Sequence, residues 1–347
     1  HNDGDGGFGP DGDADIIKCG SYSQSSASDV DVDLGFEPQF VIVKRSDDTS
    51  QWYILDEMRG FLAGSNSTSS RTLYASLANA EADFTIQKTA TGFTWPSGQY
   101  GSGTQEYIYI AIRRGPLAQP ESGTEVFDIA ERGQDSPPPT HRSGFVTDMF
   151  INRADVTLGG NNYAMDRLRG KLQVLLTDGT DAEAAYGGSA FAFDQMQGIG
   201  SITGLDVNNY SWMWKRAPGF FDVVAYTGNG TNPHNINHNL GVAPEMMWVK
   251  RRDSTGQWEV YYDTGNPSTN NGLGLLRLNS TGTDLNGTFV WGNTHPTDSV
   301  FTVGSNGTNQ SGANFIAYLF ATLPGVSKVG SYTGNGTSQT IDCGFTS

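Results

Sequence analysis

The sequence predicts an all-β protein built from tandem β-sandwich, jelly-roll-like domains of about 100 residues each. Three observations lead there. One segment recurs: Leu34–Arg45 (LGFEPQFVIVKR) and Leu240–Arg251 (LGVAPEMMWVKR) align without a gap. The match continues through Asp47, Gln51 and Trp52 against Asp253, Gln257 and Trp258, at a constant offset of 206. A weaker copy, Gly144–Arg153 (GFVTDMFINR), lies between them, and a fourth begins at Cys343–Phe345. The glycines of the four copies stand at 35, 144, 241 and 344, so the spacings are 109, 97 and 103. That period exceeds the roughly 20–50 residues of a solenoid or propeller repeat and suits one sandwich domain. The second observation is 45 Gly among 347 residues, which disfavours long helices. The third is that apolar residues come in short runs closed by turn residues, as strands do.

In chain order, residues 1–15 (HNDGDGGFGPDGDAD) read as an acidic, Gly-rich linker. Its Asp3, Asp5, Asp11, Asp13 and Asp15 would suit Ca²⁺, a hard cation that wants several carboxylate oxygens. The segment lacks the glycine and distal glutamate of an EF-hand loop, so a solvated linker is the plainer reading. Repeat 1 covers 16–118. Within it Asp29–Leu34 (DVDVDL) alternates as a half-buried strand with its valines inward. Phe40–Val43 is a continuous apolar run, expected to be covered on both faces, and Met246–Val249 is its counterpart. Arg71–Ala82 is helical by composition, but the matching slots, Leu172–Gly179 and Leu275–Gly282, read as strand and turn, so strand then loop is expected.

Repeat 2 covers 119–218 and diverges most. Residues 119–140, with Pro137-Pro138-Pro139, read as a linker or long loop. Its support is the match of Tyr163–Gly170 (YAMDRLRG) to Tyr53–Gly60 (YILDEMRG), at an offset of 110. Repeat 3 covers 219–324, and 325–347 begins a truncated repeat 4. Lys18–Tyr22, Val223–Gly230 and Lys328–Gly336 open units. Tyr107–Pro116, Tyr210–Pro218 and Phe315–Pro324 close them as aromatic-rich strands stopped by proline. The TGNGT segments at Thr227–Thr231 and Thr333–Thr337, with Asn286-Gly287 and Asn306-Gly307, carry the Asn-Gly hairpin signal. Both ends suggest a piece of a longer array.

Composition excludes several function classes. Lys+Arg number 21 and Asp+Glu 37, a formal charge of 21 − 37 = −16. Nucleic-acid and anionic-membrane binders rely on Lys and Arg, so neither partner is expected. Apolar stretches such as Phe315–Ala321 fall short of the roughly 18–20 residues of a spanning helix, and the polar opening is no signal peptide. Two cysteines make no disulfide framework. Cys19 aligns with Val223 and Val329, and Cys343 with Leu34 and Leu240, so both are expected to be buried free thiols.

No catalytic, cofactor-binding or metal residue stands out. His234 and His238 are close enough to share a face, but no cysteine or carboxylate completes a tetrahedral set, so they read as surface histidines. Asp56 and Asp166 recur in the shared motif and Asp263 lies nearby in repeat 3. They read as turn residues rather than general acids or bases. Lys44-Arg45 before Trp52, and Lys250-Arg251 before Trp258, would place a cation on an indole face if each pair of segments forms a hairpin. A sugar platform there would need an exposed tryptophan. Glycosylation sequons at Asn66, Asn209, Asn229, Asn279, Asn286, Asn306, Asn309 and Asn335 reflect turn chemistry, since half are Asn-Gly-Thr.

Trp214–Gly230 (WKRAPGFFDVVAYTGNG), Leu240–Arg251 and Val326–Gly336 (VSKVGSYTGNG) resemble repeated domains of large virion structural proteins of marine tailed phages, especially those infecting cyanobacteria. The likeness is clear from about Tyr210 onward and fainter over Asp15–Pro116. It implies a bacteriophage structural protein, a tail fibre or other appendage at the virion surface. Its partners would be copies of itself, other virion proteins and a candidate host-surface glycan met by adhesion. It implies no catalytic residues. The alternatives are a secreted bacterial adhesin or carbohydrate-binding module array, and then a polysaccharide-degrading enzyme.

Overall fold

The computed structural model describes residues 15–25, 27–64, 70–98, 103–115, 118–132, 139–154, 160–170, 173–185, 193–200, 209–268, 270–283, 285–304 and 306–345. Strands make up 44% and helix 3%, in several antiparallel sheets, so the chain is all-β.

In the first unit the strands are β1 (Ile17–Ser25), β2 (Val30–Asp33), β3 (Pro38–Arg45), β4 (Trp52–Asp56), β5 (Ser70–Tyr74), β6 (Ala82–Phe84), β7 (Gln87–Thr89), β8 (Gly92–Trp95) and β9 (Thr104–Arg113). Six of them form a wide sheet in the order β1-β9-β3-β4-β5-β6, and β2-β8-β7 form a narrow one. Val41, Val43, Tyr53, Leu55, Tyr107 and Tyr109 of the wide sheet close over Val32, Phe93 and Trp95 of the narrow one. This is a two-layer sandwich with unequal layers. The alternation in β2 holds as expected: Val32 and Leu34 are buried between exposed Asp31 and Asp33. Segment 71–82 is strand then turn and loop, as the matching slots require. The apolar run of β3 is covered unequally: Val41 and Val43 are fully buried, while Phe40 and Ile42 on the opposite face are only half-buried.

The other units repeat this order. The second has β10 (Phe127–Glu131), β11 (Met149–Ala154), β12 (Tyr163–Asp166), β13 (Gln173–Leu176), β14 (Ala184–Ala185) and β15 (Asn209–Trp214). Its wide sheet runs β10-β15-β11-β12-β13-β14. The third has β16 (Phe221–Thr227), β17 (His234–Asn237), β18 (Met246–Arg251), β19 (Trp258–Asp263), β20 (Leu273–Arg277), β21 (Leu285–Asn286), β22 (Val300–Val303) and β23 (Asn314–Phe320). Its wide sheet is β16-β23-β18-β19-β20-β21, and β17-β22 form its second layer. Among the described residues the middle unit replaces that layer with isolated bridges, His141 to Ile199 and Val146 to Gly198.

Two expectations change. Residues 127–131, read as linker, form β10 and hold the edge place that β1 and β16 hold elsewhere, paired to β15 from Phe127–Trp214 to Glu131–Tyr210. The TGNGT segment is no hairpin, because β16 pairs with β23 and not with β17. There Asn229 Oδ1 accepts from the Thr231 amide at 2.8 Å, and Asn335 Oδ1 accepts from the Thr337 amide at 2.9 Å. These are Asx turns, in which the asparagine side chain stands in for a backbone acceptor. The same device explains two of the repeat-marking glycines. Gly35 and Gly344 lie at φ +74° and +78°, and their amides donate to Asp33 and Asp342 Oδ1. Positive φ there selects glycine.

Candidate functional site

The chemistry-bearing side chains gather where the units meet. At the first junction Arg216, which follows β15, is fully buried. Its Nη1 donates to Glu37 Oε1 at 2.9 Å and its Nη2 to Glu37 Oε2, while its Nε donates to Asp222 Oδ1 at 2.8 Å. One guanidinium thus ties all three units, since Glu37 precedes β3 and Asp222 lies in β16. The Arg216 amide donates to Asp148 Oδ2 at 2.7 Å. Lys88 adds a 3.0 Å contact to Glu37 and a shorter one to Glu57, and Arg114 lies 3.5 Å from Glu37. A small cavity beside this cluster is lined by Glu37, Ala63, Lys88, Leu168 and Val223.

The electrostatics follow from that geometry. Burial alone would push the Glu37 carboxyl up, but Arg216, Lys88 and Arg114 outweigh it and hold it well below the usual range. Burial also opposes the Arg216 charge, and Asp222 and Glu37 more than compensate.

The second junction joins β12 to β23. Asp166 and Arg169 are fully buried and paired. The Tyr318 hydroxyl donates to Asp166 Oδ2 at 2.6 Å and accepts from Arg169 Nη2 at 3.1 Å. Arg169 Nη1 reaches Glu183 at 3.3 Å, and Arg252 grips both oxygens of Glu183 at 2.9 Å. Arg252 Nη1 also donates to the Ala63 carbonyl at 3.2 Å, so this cluster too touches the first unit. Around it Met149, Ala164 and Leu175 of the second unit share one core with Phe221, Val223, Trp258, Ile316 and Tyr318 of the third. Lys250, buried at the edge of this core, has its ammonium pKa lowered to about 8 by burial.

The aspartates of the shared motif have a place in this frame. Asp56 and Asp166 close equivalent turns: the amides of Arg59 and Arg169 donate to their Oδ1 atoms at 2.9 and 3.0 Å. Gly60 and Gly170 follow at φ +104° and +92°, a conformation that favours glycine. Asp263 is one position out of step, because the register partner in its sheet is Tyr262, opposite Met246, as Asp56 is opposite Phe40. Its Oδ1 instead accepts from the Gly265 amide at 2.8 Å.

Lys44 does lie opposite Trp52, and Lys250 opposite Trp258, so the expected hairpins exist. Their ammoniums turn to carbonyls instead of indoles: Lys44 to Arg45 and Asp48, Lys250 to Thr180 and Arg251. Trp258 is fully buried, with Nε1 donating to the Leu176 carbonyl at 2.7 Å, and Trp52 is partly open.

The histidine and cysteine expectations need correction. His238 is buried, accepting the Leu240 amide at Nδ1 and facing the Thr297 carbonyl with Nε2 at 3.2 Å. His234 faces Asn309 Oδ1 at 2.8 Å. Cys19 and Cys343 are exposed. Cys19 shares its register place with Val223, but the sheet face that is covered in the third unit is open in the first. Asp3, Asp5, Asp11 and Asp13 lie outside the described residues, and among the described ones no group of three His, Cys, Asp or Glu could hold a metal ion.

The chain matches a family described as a domain of unknown function, DUF7483, over residues 16–116 and 128–347. It belongs to this family. Both matched stretches carry the repeated six-stranded sheets, and the DUF7483 match resumes at residue 128, within β10. No curated protein matches the chain.

The buried groups fix a pH dependence. His141 and His238 are held below the ordinary histidine value of 6.5 by burial, so they stay neutral in the fold. Below 6.5 the unfolded chain takes up their protons first, and stability falls. Glu37 is held below its ordinary 4.5, so its contribution is complete above that value and is lost as pH falls further. Urea midpoints are expected to decline from about pH 6.5 and more steeply below about 4.5. Glu37→Gln should remove the steeper branch, and an unchanged branch would refute this assignment.

Proposed function

We propose that this DUF7483 chain is a structural component of a phage virion, a fibre or tail-associated appendage. The observation that carries the reading is one sheet unit repeated in a single chain, with buried ion pairs closing the boundaries between copies. A chain of units locked in this way passes force from one end to the other without hinging at its boundaries. The main buried carboxylates are each paired with arginine, which suits them to holding a fold rather than shuttling protons. The resemblance of Trp214–Gly230 and Val326–Gly336 to repeated virion domains supplies the setting. Contacts with a host-surface glycan or with neighbouring subunits would add by avidity.

The test is a density map and peptide mass spectrum of purified particles from a phage encoding the chain. The expected result is the three-unit body at an external appendage. Recovery of the chain only in the particle-free fraction would overturn the proposal.

A further inference from the structure

The wide sheets of the three units have equivalent outer faces, and their fates differ. Register fixes the equivalence. Trp248 pairs with Tyr318 as Ile42 pairs with Ile110, and Lys250 lies between Ile316 and Trp258 as Lys44 lies between Ile108 and Trp52. Likewise Phe221 and Val223 face Phe320 and Tyr318 as Ile17 and Cys19 face Ile112 and Ile110. In the third unit Phe221, Val223, Trp258, Ile316 and Tyr318 are all 0% exposed, because the second unit lies on them. In the first unit the same five positions are open: Ile17 49%, Trp52 36%, Ile108 42%, Ile110 43%, with Cys19 exposed. Single exposed apolar side chains are ordinary, but a contiguous patch on a sheet marks an interaction surface.

We propose that this face of β1, β9, β3 and β4 binds the same face of a second copy of the chain. The occupant follows from what covers its counterpart. The third unit's face is closed by the corresponding sheet face of the second unit, through Met149, Ala164 and Leu175. The surface is therefore matched to another unit of the same repeat. The second and third units use theirs on each other, although Ile129 (53% exposed) and Tyr210 (41%), the second unit's counterparts of Cys19 and Ile108, stay open at its β10–β15 side. The broader open face, and the self-complementary match, is the first unit's on another molecule. Such a contact is isologous and closes after two chains. Charge does not oppose it locally, because the one cation in its midst, Lys44, is tied to the Arg45 and Asp48 carbonyls. Glu106 sits at the rim, engaged by Ser23.

Size sets the strength. Strands about 4.8 Å apart and side chains repeating every 6–7 Å give a face of roughly 400 Å². Standard interfaces bury about 800 Å² per partner, so the pair is a weak, concentration-dependent dimer. The two chains each carry −16, so added salt should strengthen the pairing by screening their repulsion.

The test is sedimentation velocity of the intact chain across a wide concentration series, at low and moderate salt. The expected result is a weight-average mass that climbs from one chain toward two, more readily in salt. Ile108→Lys with Ile110→Lys should hold the chain monomeric throughout, with an unchanged circular dichroism spectrum and melting temperature. Ile129→Lys, at the second unit's counterpart of Cys19, should leave dimerisation intact, and loss of the dimer there would overturn pairing between two first-unit faces. In a Cys343→Ser background, alkylation of Cys19 should slow as concentration rises. A chain that stays monomeric, a dimer that survives the double substitution, or a Cys19 shielded at every dilution would each overturn the proposal. None of these outcomes bears on whether the chain is found in a particle, so the two readings fail separately.

Discussion

Arg216→Met is expected to destabilise the protein by about 3–5 kcal/mol. Methionine keeps most of the volume, so the loss isolates the charge. Without the guanidinium, Glu37 loses its bidentate partner and Asp222 its 2.8 Å donor, while both stay buried. Lys88 and Arg114 remain beside Glu37, which places the cost nearer the lower end. Because Arg216 links the first unit to the third, the substitution should also uncouple them. A urea melt that is a single transition in the parent should broaden or split in the variant. Adding Glu37→Gln to Arg216→Met should recover part of the loss, because it removes one stranded charge. A midpoint shift below about 0.5 kcal/mol would mean the junction is solvated and the units are held by something else.

Much of this fold is legible in the sequence, for reasons that differ by element. The strands follow from alternation at Asp29–Leu34 and from the proline-stopped aromatic runs that become β9, β15 and β23. The offset of 206 between Leu34–Arg45 and Leu240–Arg251 is also the offset in sheet register, since Ile42 and Trp248 hold the same place. β10 escapes because Phe127–Glu131 lacks the Gly-Ser-Tyr or Tyr-Thr-Gly marker of the other opening strands and sits close to a proline cluster. The burial of Cys19 is misjudged because repeat alignment transfers residue type but not the neighbour that covers a face. The ion-pair junction is hardest to see, since Glu37 and Arg216 are 179 residues apart. A faint signal exists. Glu37 stands where the second and third copies have Val146 and Ala243, whereas Arg216 is shared with Arg114 of the first. A charge that breaks an otherwise kept pattern marks a place where copies meet each other rather than where each copy folds.

Trp258→Ala should cost about 3–5 kcal/mol, and Trp52→Ala a small fraction of that, although the two tryptophans hold the same register place. The cavity term explains the asymmetry. Trp258 is enclosed between the second and third units, stacked on Tyr318 at 6.1 Å between ring centroids, with its indole N–H on the Leu176 carbonyl. Its removal empties an indole-sized space that neither rigid sheet can collapse into, and it takes the shorter of two donors from the Leu176 carbonyl, leaving the Gly179 amide. Trp52 is 36% exposed, so its truncation leaves no enclosed void and forfeits only the area it covers on its own sheet. The loss at Trp258 should therefore come with separation of the second unit from the third, seen as faster amide exchange at β12 and β23 with β3 and β9 unaffected. Equal costs at the two positions would mean that the second unit does not lie on the third. The asymmetry between the two faces, and with it the open surface of the first unit, would then have no structural basis.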